Sequence, residues 1–216
     1  LCDQAVKYDS LAIDESDMSC TNSAVVLALA MELVQQTEGY DHYDEARGCF
    51  DIIDPIYRKA VAYCIPLAQE WAEQNADKPT INVMGSGPAF GAAYVFSICN
   101  VQEMLQIDSV ITNCCEFFHG PFEILDKRTS VFLLVSVGRS RANDERAISF
   151  LNTYGGKRVY TLDAKEIGLN DLPDTVSEYF NHILFSPILN NVYMRALSAV
   201  TYKSYMTRRY MWKVAY

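Results

Sequence analysis

The feature that most constrains this chain is a repeated order of strand, glycine turn and helix that begins near residue 80. Thr80–Met84 is rich in strand-forming residues, and Gly85-Ser86-Gly87-Pro88 and the helical stretch 89–104 follow it directly. The same order returns, with strands predicted over 109–112, 131–137 and 158–162 and helices over 119–125 and 141–153. Strands that alternate with helices indicate a parallel sheet covered on both faces. We therefore predict an α/β fold, a three-layer αβα sandwich with a mainly parallel sheet.

Helices flank this α/β region on both sides. Ser23–Gln36 is apolar nearly all round, which predicts burial on several sides, and a large exposed patch if neither a preceding domain nor a partner chain covers it. Residues 51–76 carry apolar side chains at helical spacing and predict a long helix, kinked at Pro66. A mostly apolar helix over about 175–204 and a polar-aromatic tail, 205–216, end the chain.

Composition excludes several classes of partner. The 18 Lys and Arg against 27 Asp and Glu give a net charge of −9, so we expect no nucleic acid partner. The longest apolar run, Ala24–Met31, is far shorter than the roughly 20 residues that cross a bilayer, so we expect no membrane span. Seven cysteines without a C-x-x-C pair or a signal peptide predict reduced thiols in the cytoplasm. The three histidines lie far apart in sequence, so we expect no metal site.

Ligands of open α/β sheets collect at the carboxyl ends of the strands, which makes loops 85–88, 113–121 and 136–140 the candidate site. The glycines at 85 and 87 do not complete a dinucleotide motif, because Phe90 stands where the third glycine belongs. Loop 136–140 lacks the pattern of a nucleotide-binding P-loop. We therefore expect no cofactor.

Glu103 and His119 are the residues with the most chemical potential, although each has an ordinary alternative. His119 precedes Gly120-Pro121 at a strand-to-helix junction and is suited to proton transfer, but a lone loop histidine is more often a hydrogen-bonded surface residue. Glu103, taken alone, is predicted to lie on a solvated face of its helix.

Together these two residues resemble a known pattern. Glu103 is followed 16 positions later by His119, within the sequence E-F-F-H-G-P, and this combination resembles the second sugar isomerase (SIS) domain of phosphosugar enzymes. The sequence is most similar to fructosamine-6-phosphate deglycases, such as fructoselysine-6-phosphate deglycase, and more distantly to the isomerase half of glucosamine-6-phosphate synthase. The resemblance covers 80–216, including the ending R-R-Y-M-W-K-V-A-Y. It implies a flavodoxin-like SIS domain over 78–216, preceded in 1–77 by the end of a first SIS domain and connecting helices.

The resemblance also implies roles for individual residues. It makes Glu103 the general base, His119 the acid, and Lys213 the tail lysine that reaches the open-chain sugar; a solvated tail cation is the alternative for Lys213. It assigns substrate contacts to five further residues: Ser19, Cys20, Gly85, Ser86 and Arg209. The alternative for Ser19 and Cys20 is a structural role, in which they form a helix N-cap cluster with Thr21.

The sequence departs from the family pattern at two places. Cys114 and Cys115 stand where the family has small residues, and Ala215 replaces a glutamate. We expect both thiols to be buried and inert. The Ser/Thr-rich phosphate loop of a first SIS domain is not found in this sequence, and the chain opens on Leu1 rather than Met, so we expect a fragment or a processed product.

Three functions follow from the resemblance. The first is hydrolysis of a fructosamine 6-phosphate to glucose 6-phosphate and an amine or amino acid. The second is isomerisation or amination of a phosphosugar, and the third is phosphosugar binding without catalysis. The Glu103 and His119 pair favours an enzyme, since a sensor would have no chemical need for it. The expected partners are a phosphorylated sugar or sugar-amine substrate and a second copy of the chain in a homodimer.

Overall fold

The computed structural model describes residues 17–215 and has a four-stranded parallel sheet. Its strands are β1 (Thr80–Gly85), β2 (Asp108–Asn113), β3 (Val131–Val135) and β4 (Val159–Asp163). They lie in the order β2-β1-β3-β4, so that β2 and β4 are the edges. Gly85 is in register with Asn113, and Val135 with Asp163, which brings the four strand ends to one edge of the sheet. The predicted strands and their parallel arrangement are confirmed.

Strand β3 is buried on both faces and separates two apolar layers. Phe132 and Leu134 point into the larger layer, while Val131, Leu133 and Val135 point into the smaller one. This alternation follows from the two-residue period of a strand. In the larger layer the ring of Phe132 packs against four aromatic side chains, Trp71, Phe96, Tyr160 and Tyr193. The three-layer αβα arrangement is therefore confirmed.

In the part of the chain that the structure describes, the larger layer is built from five α-helices and two π-helices. The α-helices are α1 (Asn22–Thr37), α2 (Tyr43–Asn75), α3 (Gly87–Val95), α5 (Asn181–Ile188) and α6 (Met194–Thr201). Helix α3 continues directly into a π-helix, Phe96–Met104, and a second π-helix, Leu189–Tyr193, connects α5 to α6. Helix α2 begins eight residues before the predicted start and runs through both Pro55 and Pro66. No helix in the span 17–215 is long and apolar enough to cross a membrane.

The smaller layer contains α4 (Arg141–Tyr154) and the segment after β2. The prediction of a helix over 119–125 is wrong, because this segment forms two short 3₁₀ turns, Phe117–His119 and Pro121–Ile124. Gly120 stands between them at a φ of 141°, which only glycine adopts readily, and Pro121 has no N–H to donate. The single helix predicted over 175–204 is likewise divided, into a 3₁₀ turn at Ser177–Phe180, α5, the second π-helix and α6.

Helix α1 is the element whose burial differs most from the prediction. Within the described chain only Ala24 and Met31 of this helix are buried, so the prediction that the helix is buried on several sides is wrong. Val26 is 64% and Leu33 63% exposed, and the large apolar patch expected for an uncovered helix is present.

Candidate active site

Glu103 lies near the end of the π-helix that continues α3. The helix closes on Leu105, whose N–H donates to the Asn100 carbonyl five residues earlier. Asn100 is buried and its Nδ2 donates to Oδ1 of Asn190, on the second π-helix, over 3.0 Å. A π-helix holds more residues per turn than an α-helix and occurs frequently at functional sites. The Asn100–Asn190 hydrogen bond therefore joins the π-helix that carries Glu103 to the second π-helix.

An ion pair links Glu103 to the C-terminal tail. Nε of Arg208 donates to Oε1 of Glu103 over 2.6 Å, and both side chains are largely shielded from solvent. Nη1 of Arg208 donates to the Tyr205 carbonyl over 2.9 Å, so the guanidinium is itself held in place. Within the described residues Oε2 of Glu103 has no hydrogen-bond donor, which leaves one carboxylate oxygen free to act on a ligand.

The pair borders a cleft of about 380 Å³ between the π-helix and the tail. Its lining residues are Gln102, Glu103, Gln106, Ile107, Asp108, Arg208, Arg209, Tyr210 and Met211. Arg209 is exposed, and only a long contact of 3.5 Å joins its Nη2 to Oε1 of Gln106. Lys213 lies two residues beyond the lining and is exposed, with its backbone N–H donating to the Tyr210 carbonyl over 2.9 Å. The structure thus brings Glu103 and Arg209 together and puts Lys213 nearby.

His119 lies away from this cleft, at the other end of strand β2. Asp108, which lines the cleft, begins β2, while the turn that carries His119 follows Asn113 at its end. A strand rises about 3.3 Å per residue, so these two ends are separated by about 17 Å. Glu103 and His119 of the same chain therefore do not share one cleft.

Aromatic packing supports the turn that carries His119. Phe117, Phe118 and Phe122 each pack against Phe150 of α4, with ring centroids 5.6–5.8 Å apart. The guanidinium of Arg146, also on α4, lies 4.0 Å from the centroid of the Phe118 ring. The His119 backbone N–H donates to the Glu116 carbonyl over 2.8 Å, and the residue itself is exposed. The imidazole is thus presented outward from a well-packed turn.

The loop after β1 has internal partners for its polar groups. Ser86 is fully buried, and its hydroxyl donates to Oδ1 of Asp144 over 2.5 Å. The other oxygen of this carboxylate accepts the Ser136 N–H over 2.9 Å and the Ser136 hydroxyl over 2.5 Å. Gly85 is also buried, with the backbone and side chains of α3 close to its Cα. These contacts explain Ser86 and Gly85 without a ligand, and substrate binding by them stays a prediction.

The loop after β3 is filled by a second carboxylate. Glu178 accepts the Arg139 backbone N–H over 3.1 Å and the Arg139 Nε–H over 2.8 Å. These donors lower the pKa of Glu178. A Cβ added to Gly138, whose φ is 89°, would overlap the Glu178 side chain. Oδ1 of Asn181 accepts the Val137 N–H over 3.0 Å. Protein groups therefore occupy the backbone N–H groups of Ser136, Val137 and Arg139 in this loop.

Ser19 and Cys20 lie in a 3₁₀ turn, Met18–Cys20, that precedes α1 and borders none of the Glu103 cleft. The Ser19 hydroxyl donates to Oδ1 of Asp17 over 2.6 Å, while Cys20 is exposed. Thr21 makes no side-chain cap to α1 and instead donates its hydroxyl to the Met18 carbonyl. A sugar contact from either Ser19 or Cys20 remains a prediction.

The paired cysteines after β2 differ from each other. Cys114 is buried, and its burial raises the pKa of the thiol strongly, as expected for an inert group. Cys115 is exposed, so the prediction that both are buried is wrong for this residue. The chain turns between them, since the Cys115 N–H donates to Oδ1 of Asn113.

Arg208 is the site residue that the sequence did not identify by itself. Both arginines belong to the family-like ending of the sequence, but the resemblance implies substrate binding for Arg209 alone. The partner of Arg208 lies 105 positions earlier in the chain, so no local pattern could reveal the ion pair.

Comparisons with known proteins agree with this architecture. No family model matches the sequence. Fructosamine deglycase FrlB of Bacillus subtilis is 31% identical over 203 residues, which are 94% of this chain and 61% of that protein. A crystal structure of a provisionally assigned phosphosugar isomerase from Salmonella typhimurium is 40% identical, with a TM-score of 0.91 over 97% of this chain and 64% of the other.

The C-terminal domain of glucosamine-fructose-6-phosphate aminotransferase from Francisella tularensis shares the fold alone, with a TM-score of 0.66 at 12% identity over 84% of this chain and 53% of the other. The chain spans less than two thirds of the length of each of these three proteins. The resemblance of the sequence to the sugar isomerase (SIS) domains of phosphosugar enzymes is nevertheless confirmed, in sequence by the deglycase and in structure by the Salmonella protein.

Proposed function

We propose that the protein is a fructosamine-6-phosphate deglycase, which hydrolyses a fructosamine 6-phosphate to glucose 6-phosphate and a free amine or amino acid. The observation that carries the proposal is the carboxylate of Glu103, held by Arg208 at 2.6 Å with its second oxygen free beside a cleft of about 380 Å³. The 31% identity to a fructosamine deglycase supports the same reaction.

The proposed chemistry needs one base that moves a proton between neighbouring carbons. In a fructosamine 6-phosphate, C1 carries the amine and C2 the carbonyl oxygen. Glu103 removes a proton from C1 while O2 gains a proton, which gives an enaminol. The nitrogen then loses its proton as Glu103 returns a proton to C2, and the product is an imine of glucose 6-phosphate with a hydroxyl at C2. Water then adds to the imine carbon and the amine leaves. A positioned carboxylate suits the first two steps, and an imidazole near neutral pH, which we assign to His119, suits protonation of the leaving nitrogen and of the ring oxygen.

We further propose that His119 reaches this site from a second copy of the chain. Within one chain the length of β2, about 17 Å, lies between the cleft and the turn that carries His119, so we propose that the two residues of one chain do not touch the same sugar. A two-fold dimer would supply the missing acid to each of two equivalent sites, and two-fold dimers are the commonest symmetric oligomers. The exposure of His119 on a rigid turn agrees with a role across an interface.

The substrate phosphate needs donors that are not already engaged. Arg209 is exposed in the cleft and is the proposed phosphate or carboxylate contact there. Lys213 is the proposed contact to the open-chain sugar, since it follows the cleft-lining part of the tail. Ser19, Cys20, Gly85 and Ser86 remain proposed substrate contacts on the family resemblance alone.

The experiment is release of glucose 6-phosphate from fructoselysine 6-phosphate by the full-length protein that contains this chain. The wild type is compared with Glu103→Gln and with a matched control, Glu73→Gln, which alters an exposed glutamate of α2. We expect the Glu103 variant to lose about 10²–10⁴-fold in kcat and the control to retain wild-type turnover. Equal turnover by the wild type and Glu103→Gln would sink the assignment of the base.

A second candidate is aldose–ketose isomerisation of a phosphosugar, which the 40% identity to a provisionally assigned phosphosugar isomerase favours. It uses the same proton transfer between C1 and C2 but no hydrolysis. Interconversion of fructose 6-phosphate and glucose 6-phosphate, with no amine released from any fructosamine 6-phosphate, would support isomerisation over deglycation.

A further inference from the structure

The C-terminal tail and Lys203, which precedes it, are attached to the segment that carries Glu103 by three contacts. The ion pair from Arg208 reaches Glu103 itself. Nζ of Lys203 donates to the Gln106 carbonyl over 3.0 Å, and the long contact from Arg209 reaches the Gln106 side chain. Gln106 has a φ of 55°, which non-glycine residues seldom adopt, so the chain turns sharply directly after the π-helix. The tail thus packs against the base and the turn that follows it.

Of these contacts, the ion pair between Arg208 and Glu103, here called the clamp, is the one whose guanidinium is itself held in place. Its side chain is only 10% exposed, and its guanidinium donates both to Glu103 and to the Tyr205 carbonyl. A glutamate side chain has three rotatable bonds and loses considerable conformational entropy when it is fixed. A guanidinium that is anchored at one end can fix the carboxylate through Oε1 and leave Oε2 without a protein donor, in a residue that lines the cleft.

We infer that Arg208 is a positioning residue for Glu103, which holds the carboxylate in the orientation needed for proton transfer and makes turnover depend on a docked tail. The inference rests on the proposed function, because it takes Glu103 as the base. Arg208 need not touch the substrate. Its contribution therefore falls on the rate of the chemical step, and the affinity for substrate changes little.

The kinetic test compares Arg208→Gln and Arg208→Lys with the wild type, using glucose 6-phosphate release by the full-length protein. Arg208→Gln should lower kcat by about ten- to a hundredfold, as misplacement of a catalytic group does, and leave KM within about threefold of the wild type. Arg208→Lys keeps the charge and should recover part of the lost kcat. Arg128→Gln is the control, since Arg128 is exposed and pairs with Asp126 outside the cleft.

Two kinetic results would overturn the inference. One is an unchanged kcat in Arg208→Gln, and the other is a raised KM with kcat intact, which would make Arg208 a substrate-binding residue. Circular dichroism and thermal melting of each variant exclude a loss of fold as the cause of lower activity.

A second measurement does not depend on turnover. Amide hydrogen exchange is followed over residues 203–214 in Arg208→Gln, Glu103→Gln and the double variant. If the ion pair holds the tail, each single variant raises exchange to the same extent and the double variant raises it no further. Unchanged exchange in both single variants would refute the clamp. A wild type without deglycase activity that still shows this pattern would refute the proposed function and leave the clamp standing.

Discussion

Asp144 connects two of the strand-end loops, and its removal should cost a predictable amount of stability. The carboxylate is fully buried and accepts three hydrogen bonds, one from Ser86 and two from Ser136. Each hydroxyl also has a second partner in Ser140, at 3.1 Å for Ser86 and 2.9 Å for Ser136. The Ser136 backbone N–H has no such alternative in the described chain.

The magnitude follows from these partners. A hydrogen bond to a charged acceptor contributes about 1.5–3 kcal/mol, and a buried N–H left without an acceptor costs about 1–3 kcal/mol. Because the two hydroxyls can turn toward Ser140, we expect Asp144→Ala to lower the free energy of unfolding by about 3–4 kcal/mol. At this chain length that corresponds to a fall in Tm of about 6–15 °C. Asp144→Asn retains one acceptor oxygen and should lose about half as much.

Urea unfolding of the two variants gives the free energies directly. Asp174→Ala is the matched control, since Asp174 is exposed, and it should change the free energy by less than about 0.5 kcal/mol. A loss below about 1 kcal/mol for Asp144→Ala would refute the reasoning, because three charged hydrogen bonds cannot then be holding the loops.

Three further predictions concern stability and thiol access. Gly138→Ala should lower the free energy of unfolding by about 2–3 kcal/mol, because the new methyl group overlaps the Glu178 side chain and the φ of this residue is positive. The control is Gly48→Ala on α2, where the methyl group meets open space and should leave stability unchanged or raise it. Urea unfolding measures both. Burial lowers the pKa of His182, so the unfolded state binds more protons than the folded state. The free energy of unfolding should therefore fall as the pH drops below about 6.5. A His182→Gln variant that kept the full pH dependence would contradict this. Burial raises the pKa of Cys64 to about 11, so a thiol reagent at pH 7 should label exposed Cys115 at once and Cys64 only on unfolding, as read by mass spectrometry.

The sheet was predictable because strands and glycine turns leave local signals. Thr80–Met84 and its glycines identify one strand and the helix after it, and the confirmed topology follows from repetition of that unit. The interruption at Gly120 was less visible, since a proline such as Pro121 can also begin a helix, and the positive φ of Gly120 is visible only in the folded chain. The π-helices depend on contacts between distant segments, such as Asn100 with Asn190, and no periodicity encodes them.

The candidate site was predictable only in part. The spacing between Glu103 and His119, which resembles that of the family, identified both residues. The fold class, however, predicted a ligand at the carboxyl ends of the strands. There Asp144 accepts from Ser86 and Ser136 and Glu178 accepts from Arg139, while the Glu103 cleft lies at the opposite end of β2. The Arg208 ion pair joins residues 105 positions apart, and this kind of contact is fixed by the folded chain alone.

The most direct test of the account is complementation between two inactive variants of the full-length protein. Glu103→Gln and His119→Asn are each expected to lose deglycase activity through the loss of the base or the acid. If each site takes Glu103 from one copy and His119 from the other, mixed dimers contain one intact site, and random re-association in equal amounts should restore about one quarter of wild-type glucose 6-phosphate release. Native mass spectrometry of the mixture demonstrates subunit exchange, because Glu103→Gln mixed with wild type gives about half of wild-type release whether or not the subunits exchange. A mixture that remains as inactive as its components, although exchange is demonstrated, would contradict the shared site.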